Sequence, residues 1–236
     1  MIPTPTPSKS VTGESGWLTQ LLLNPRDRTV QRDLRSLSDL HRTVMRLVPD
    51  GLGDSPRSRA GVLFRLEADG TGSPVVLVQT ALRPATDRLP DNYARAQVRS
   101  MEALLAALRA GLPVRYRLAG NAVRRCGPNS KAGRWKQALP LHGPEADQWW
   151  QDRAQAAGLD LRTLTSRSAD TATTWHEPPT NTAATRLRVD RAVTLFEGTA
   201  TVNDPVALRS ALLNGIGRSK SYGCGLLSIA PAGRGD

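Results

Sequence analysis

The chain has three histidines, His41, His142 and His176. Histidine is the side chain whose ordinary pKa lets it change charge near neutral pH. None of the three stands in a ligand spacing: there is no HxxxH, no CxxC and no paired His/carboxylate pattern. No metal site is therefore expected. A Walker loop and a GxSxG elbow are also missing, which sets aside P-loop nucleotide chemistry and serine-hydrolase chemistry. His41 is the informative histidine. It lies about one turn into a helix opened by Ser36-Leu37-Ser38-Asp39, which has the spacing of a capping box. It sits at the edge of an apolar stripe made by Leu37, Leu40, Val44 and Leu47. Two readings stand for such a residue: a core-edge histidine with a satisfied ring, or a proton carrier. Proton transfer near neutral pH is what cleavage of RNA by its own 2′-hydroxyl requires.

Two other stretches could grip a phosphate chain. The first is GIGRSKSYGCG (215–225), where Gly215 and Gly217 would let backbone approach phosphate closely while Arg218 and Lys220 supply charge. It could equally be a flexible connection before an edge strand. The second is a basic hairpin over 123–141, with Arg124, Arg125, Lys131, Arg134 and Lys136 around a Gly-Pro-Asn-Ser tip. A charged two-stranded ribbon can enter an RNA groove or line its phosphates, or be an ordinary solvated hairpin. Trp149 and Trp150 could stack on bases, though packing of a helix against a sheet is the plainer expectation. Cys126 and Cys224 have no activating base beside them and read as free thiols.

Charge supports a polyanionic partner. Lys and Arg number 32 against 21 Asp and Glu, giving +11 and a sequence pI near 10.9. The excess is local: 103–144 has eight Lys or Arg and no acid, which a uniform compositional bias would not produce. Hydrophobic residues reach 39%, enough for real cores in 236 residues. Two cysteines make no disulfide framework, and no run approaches the length of a membrane span. The first fifteen residues are rich in Pro, Ser and Thr, with no signal-peptide core, and read as a flexible tail. A reduced, cytoplasmic protein is the expectation.

The positioning elements follow from periodicity. Strands are expected at 17–24, 61–68, 74–81 and 114–121, and helices at 36–49 and 94–109, the latter from Met101, Leu104, Leu105 and Leu108. That order, β-α-β-β-α-β, is a ferredoxin-like unit, the layout also used by RNA-recognition domains. The rest predicts a helix over 145–157, one long or kinked strand over 186–202, an Asp204-capped helix and a last strand at 226–231, fitting a second, degraded copy. The expected fold class is α+β, two tandem ferredoxin-like domains (16–120 and 121–236), with antiparallel sheets and helices on one face.

Six segments then resemble one known family: WLTQLLLNPRDRTVQRDL (17–34), DLHRTVMR (39–46), VLVQT (76–80), RYRLAGNAVRR (115–125), LFEGTATVNDP (195–205) and GIGRSKSYGCGLLSIAP (215–231). The chain is similar to the CasE family, the CRISPR repeat endoribonuclease subunit of type I-E Cascade. The resemblance covers nearly the whole chain. It implies two tandem ferredoxin-like domains, a CRISPR repeat hairpin RNA as substrate, and other Cascade subunits as partners. It implies cleavage of precursor crRNA at the stem base with no metal or small-molecule cofactor, leaving a 5′-hydroxyl and a 2′,3′-cyclic phosphate. His41 aligns with the family's catalytic histidine, and the basic hairpin with the element gripping the stem. Ser38 stands where members often carry a tyrosine, and a serine hydroxyl is shorter and a poorer proton donor. A basic residue could then partner His41, and Arg186 or Arg188 lies where the family often carries an active-site lysine or arginine. Two rival readings remain: a hairpin-binding Cascade subunit that does not cut, and a generic RNA-recognition module. The second fits poorly with only 4% aromatics, since such modules stack bases on exposed rings.

Overall fold

The apolar run at the start forms β1 (Trp17–Leu23), with Thr19, Leu21 and Leu23 buried and Gln20 and Leu22 exposed, the alternation of a strand with one covered face. The structure is a computed structural model and describes residues 15–67, 72–126, 138–176 and 187–233. After β1 comes α1 (Arg28–Arg35), which the periodicity did not foresee. Asp27 starts it, its carboxylate accepting from the Thr29 and Val30 amides at 2.8 and 3.0 Å. Then α2 (Leu37–Val44) begins at Ser36, whose hydroxyl accepts from the Asp39 amide at 3.3 Å, as the capping-box spacing predicts. A 3₁₀ turn, Met45–Leu47, ends that helical region. One short turn, α3 (Pro56–Arg59), leads into β2 (Leu63–Glu67) and β3 (Val75–Thr80).

The expected second helix over 94–109 is corrected. Ala94–Ser100 is a strand, β4, paired antiparallel with β1, and only Glu102–Ala106 is helical, as α4. β4 is an edge strand, mostly exposed, so its sequence shows no buried alternation. The apolar stripe Met101, Leu105 and Leu108 is buried, but it packs into the second unit's core. The strand over 114–121 is also corrected in its sheet. It forms β5 (Pro113–Gly120) and pairs with strands of the second sheet rather than closing the first. The first sheet therefore has the order β2-β3-β1-β4, the antiparallel ferredoxin order, with a loop and a 3₁₀ turn (Thr86–Arg88) between β3 and β4 in place of a helix. α1 and α2 cover one face around Leu21, Val30, Leu40, Val44, Phe64 and Val78.

The second unit is the more complete copy. From β5 the chain makes a hairpin, β6 (Val123–Arg125) with β7 (Ala138–Pro140), then α5 (Pro144–Ala156). Next come β8 (Leu159–Leu161), β9 (Thr165–His176) and β10 (Leu187–Val202). The chain ends with α6 (Pro205–Asn214) and β11 (Leu227–Pro231). Sheet order is β11-β5-β10-β8, with β9 also on β10 and a register shift between Arg191 and Val193. With the separate β6-β7 hairpin set aside, and β8 and β9 sharing the one edge beside β10, the chain order is β-α-β-β-α-β. The protein is two tandem ferredoxin-like domains with antiparallel sheets. Trp150 is fully buried in the second core, within 5.9 Å of the Phe196 ring, so it packs rather than stacks on a base. Among the described residues, no helix is long and apolar enough to cross a membrane.

The units are tied together at polar points. Arg65 of β2 is only 3% exposed, and its Nη1 donates to the Leu226 and Arg117 carbonyls at 3.0 and 3.2 Å. Gln79 of β3 donates to the Leu212 carbonyl at the end of α6 at 2.8 Å.

Candidate active site

His41 lies on α2, half-buried, its ring stacked on Phe64 of β2 with centroids 6.0 Å apart. Its Nδ1 is buried and has no hydrogen-bond partner among the described residues. Burial holds the imidazole below the usual histidine range, and the positive charges of Arg57 and then Arg42 add to that. Ser38 lies three residues earlier on the same helix face.

α2 packs on the 3₁₀ turn Lys220–Tyr222 inside the glycine-rich stretch, which carries a first-unit histidine to a second-unit loop. Geometry explains the glycines. Gly215 has φ +71°, and a Cβ there would stand 2.7 Å from Leu63 and 2.9 Å from the Gly225 carbonyl. Gly225 has φ +89°, and its carbonyl accepts from the Ile216 amide at 2.9 Å, closing the loop at its base. Gly217 rests on Trp149, which stacks on Phe196 in turn. The Ser219 hydroxyl contacts Asn121 at 3.2 Å, and Asn121 donates to the Ala192 carbonyl at 2.8 Å.

Beside this loop is a cleft of roughly 470 Å³, walled by Arg57, Arg218, Lys220, Asn121, Tyr222 and the hairpin residue Val123. Three of these are cations, and none of the lining residues among those described is a carboxylate. Lys220 donates to the Asn214 carbonyl at 2.7 Å. Burial holds its ammonium below the ordinary lysine range, and Arg57 pushes the same way. Arg57 is the residue sequence reasoning missed. It lines the cleft, and its positive charge lowers the pKa of both His41 and Lys220. Its only outward sign was a basic tetrapeptide, PRSR, with no periodicity to give it a place.

The structure packs α2, which carries Ser38 and His41, on the 3₁₀ turn that carries Lys220, and sets Gly217, Arg218 and Lys220 along the cleft, with Gly215 at the start of the same loop. Arg124 and Arg125 sit on β6 next to the cleft wall at Val123, and Arg124 lies 3.7 Å from Glu145 with both side chains mostly exposed. Lys131, Arg134 and Lys136 fall outside the described residues, as does Arg186. Arg188 is on β10 opposite Trp175 of β9, and β9 also packs on α2. Among the described residues, no group of three or more His, Cys, Asp or Glu could hold a metal ion. An imidazole with an unpaired nitrogen beside a cation-lined cleft can bind a phosphate polyanion and move a proton at it.

A family described as CRISPR associated protein matches residues 17–231. The "CRISPR-associated endoribonuclease Cse3" of Thermus thermophilus is 34% identical over 223 residues, covering 91% of this chain and all of that protein. The chain belongs to the CasE family. The Escherichia coli "CRISPR system Cascade subunit CasE" is 29% identical over 206 residues, covering 84% of this chain and 93% of that one. Among solved structures, Thermus thermophilus Cse3 bound to an RNA representing a pre-cleavage complex superposes with a TM-score of 0.74 at 31% identity. It covers 92% of this chain and all of that one. The CasE-family match begins at Trp17 and ends at Pro231, the same limits as the first and last strands, so both domains belong to it.

Proposed function

We propose that this CasE-family chain is an endoribonuclease that binds the hairpin of a CRISPR repeat and cuts precursor crRNA at the stem base without a metal ion. The 2′-oxygen bonds to the adjacent phosphorus and the bond from phosphorus to the 5′-oxygen breaks. One proton leaves the 2′-oxygen and one reaches the 5′-oxygen, giving a 2′,3′-cyclic phosphate and a 5′-hydroxyl. His41 moves one of these protons. Arg186 or Arg188 stabilises the charge developing on the phosphate, and Ser38 takes the place of the family's tyrosine. Arg124, Arg125, Lys131, Arg134 and Lys136 grip the stem, while Gly215, Gly217, Arg218 and Lys220 hold its backbone. The product stays bound, and the protein enters Cascade in the cytoplasm with its partner subunits. The observation that carries this reading is His41, whose buried Nδ1 has no partner among the described residues, on a helix packed against the loop of a cleft whose described lining holds three cations and no carboxylate.

The test is gel-resolved cleavage of an end-labelled repeat hairpin from the same genome, in EDTA. A single cut at the stem base is expected. The second reading, a subunit that binds but does not cut, is favoured by Ser38, and tight binding with no cut under any condition would establish it instead. Replacing Arg124 and Arg125 together by alanine should weaken binding and lower the slope of log K against log salt by about 2, roughly one unit per lost phosphate contact. An unchanged slope, read by filter binding, would remove the hairpin base from the RNA contacts.

A further inference from the structure

We propose that Arg57 holds the scissile phosphate, its guanidinium bridging His41 and the glycine-rich loop. This rests on the endoribonuclease reading above and adds to it a phosphate ligand from the first domain. Three observations meet at this residue.

The first is place. Arg57 is on α3, between α2 and β2, and is the first-unit cation on the cleft wall, facing Arg218 and Lys220 of the second unit. The second is pairing. Arg32, Arg42, Arg65, Arg88 and Arg117 each meet a carboxylate, whereas Arg57 has no carboxylate partner among the described residues. Its Nη1 donates to the Val62 carbonyl at 3.1 Å, which fixes the side chain and leaves other N–H groups of the fork unspent. Three like charges around one cleft repel one another, and an anion seated among them removes the cost. The third is reach. Arg57 lines the same cleft as Lys220, and its charge pushes the pKa of both His41 and Lys220 down. A planar guanidinium presents parallel donors to two oxygens of one phosphate, which is where charge grows as the 2′-oxygen attacks.

The other charged groups around His41 do not fill this role. Asp39 and Arg42 of α2 pair with each other. Arg65 and Glu67 of β2 are spent on the contact between units, and Arg167 of β9 leans on Glu197. β9 also carries Asp170 and His176, and the 3₁₀ turn carries Lys220 and Tyr222.

The experiment is single-turnover cleavage of the labelled hairpin by saturating full-length enzyme from pH 5 to 9, comparing wild type, Arg57→Gln, Arg57→Lys and His41→Ala. Arg57→Gln is expected to lower the rate roughly tenfold to a hundredfold, with hairpin affinity changed less than the rate. Removing a repelling positive charge raises the pKa of His41, so the histidine limb of the pH–rate curve should move to higher pH in Arg57→Gln. Arg57→Lys should restore the limb but only part of the rate, because an ammonium cannot bridge two oxygens. A merely structural residue would lower the active fraction and leave the limb in place. Wild-type rate and limb in Arg57→Gln would overturn the proposal, as would a wild-type rate in Arg57→Lys, which also serves if the glutamine variant does not fold. If wild type does not cut, the endoribonuclease reading falls and takes Arg57's role with it; if wild type cuts and His41→Ala cuts equally well, the His41 assignment falls and the bridging role of Arg57 falls with it.

Discussion

Replacing His41 by alanine is expected to slow hairpin cleavage by roughly 10²–10⁴-fold, the usual contribution of a positioned proton-transfer group, while hairpin affinity stays close to wild type. The separation of the two effects follows from the geometry. The charge proposed to grip phosphate is on Arg57, Arg218, Lys220 and β6, none of which the substitution replaces. His41 itself is half-buried, stacked on Phe64, and held below the usual histidine range by burial and by Arg57 and Arg42. It is therefore mostly neutral at pH 7, the form that accepts a proton. The pH dependence has a definite sign: if His41 acts as the base, the rate rises as pH passes upward through its depressed pKa and then levels. Single-turnover rates from pH 5 to 9, with filter binding alongside, check both parts. A His41→Ala enzyme that cuts within threefold of wild type would end the assignment. Loss of binding in parallel with loss of cleavage would instead make His41 part of the structural support for the loop.

The sequence was most legible where local chemistry and tertiary packing agree. Ser36 and Asp204 cap helices as their spacing predicts, and the β10 run is one long strand. It was least legible where a segment owes its structure to a neighbour. Residues 94–100 are nearly all exposed and are extended because β1 offers them a pairing edge. The stripe that follows them was real but belonged to the other core, so it lent helical periodicity to a strand. α1 was hidden because only Val30 and Leu34 in it are apolar, and what it buries includes the carboxylate Asp33, which accepts from Tyr93 at 2.9 Å. The same logic applies to the site. His41 could be singled out because its helix announces itself, and the loop because four glycines do. Arg57 could not, since a four-residue helix has no period to detect and its importance comes from facing a loop some 160 residues away in the chain.

That long-range meeting depends on how the two domains are joined, and Arg65 is the residue most committed to the joint. Arg65→Met is expected to cost about 3 kcal/mol, because a buried arginine loses charge-assisted hydrogen bonds at about 1.5–3 kcal/mol each and leaves carbonyls short of donors. Methionine keeps much of the volume, so the loss reports polar contacts rather than a cavity. The Leu226 carbonyl at 3.0 Å and the Ser228 hydroxyl at 3.0 Å lose their donor, and both lie on or beside β11, the edge of the second sheet. Glu67 is less exposed to the change, since Arg117 also reaches it at 3.2 Å and continues to Glu197 of β10. The full cost of an abandoned buried charge is therefore not expected. Urea unfolding read by circular dichroism measures the effect, and a loss under about 0.5 kcal/mol would show that apolar packing alone holds the domains. The consequence for function follows from chain positions. Arg65 lies eight residues after Arg57, and Leu226 six after Lys220, so a loosened joint moves the two cleft walls relative to each other. Cleavage should then fall even under conditions where Arg65→Met remains fully folded, since positioning a reacting phosphate tolerates displacements of well under an ångström.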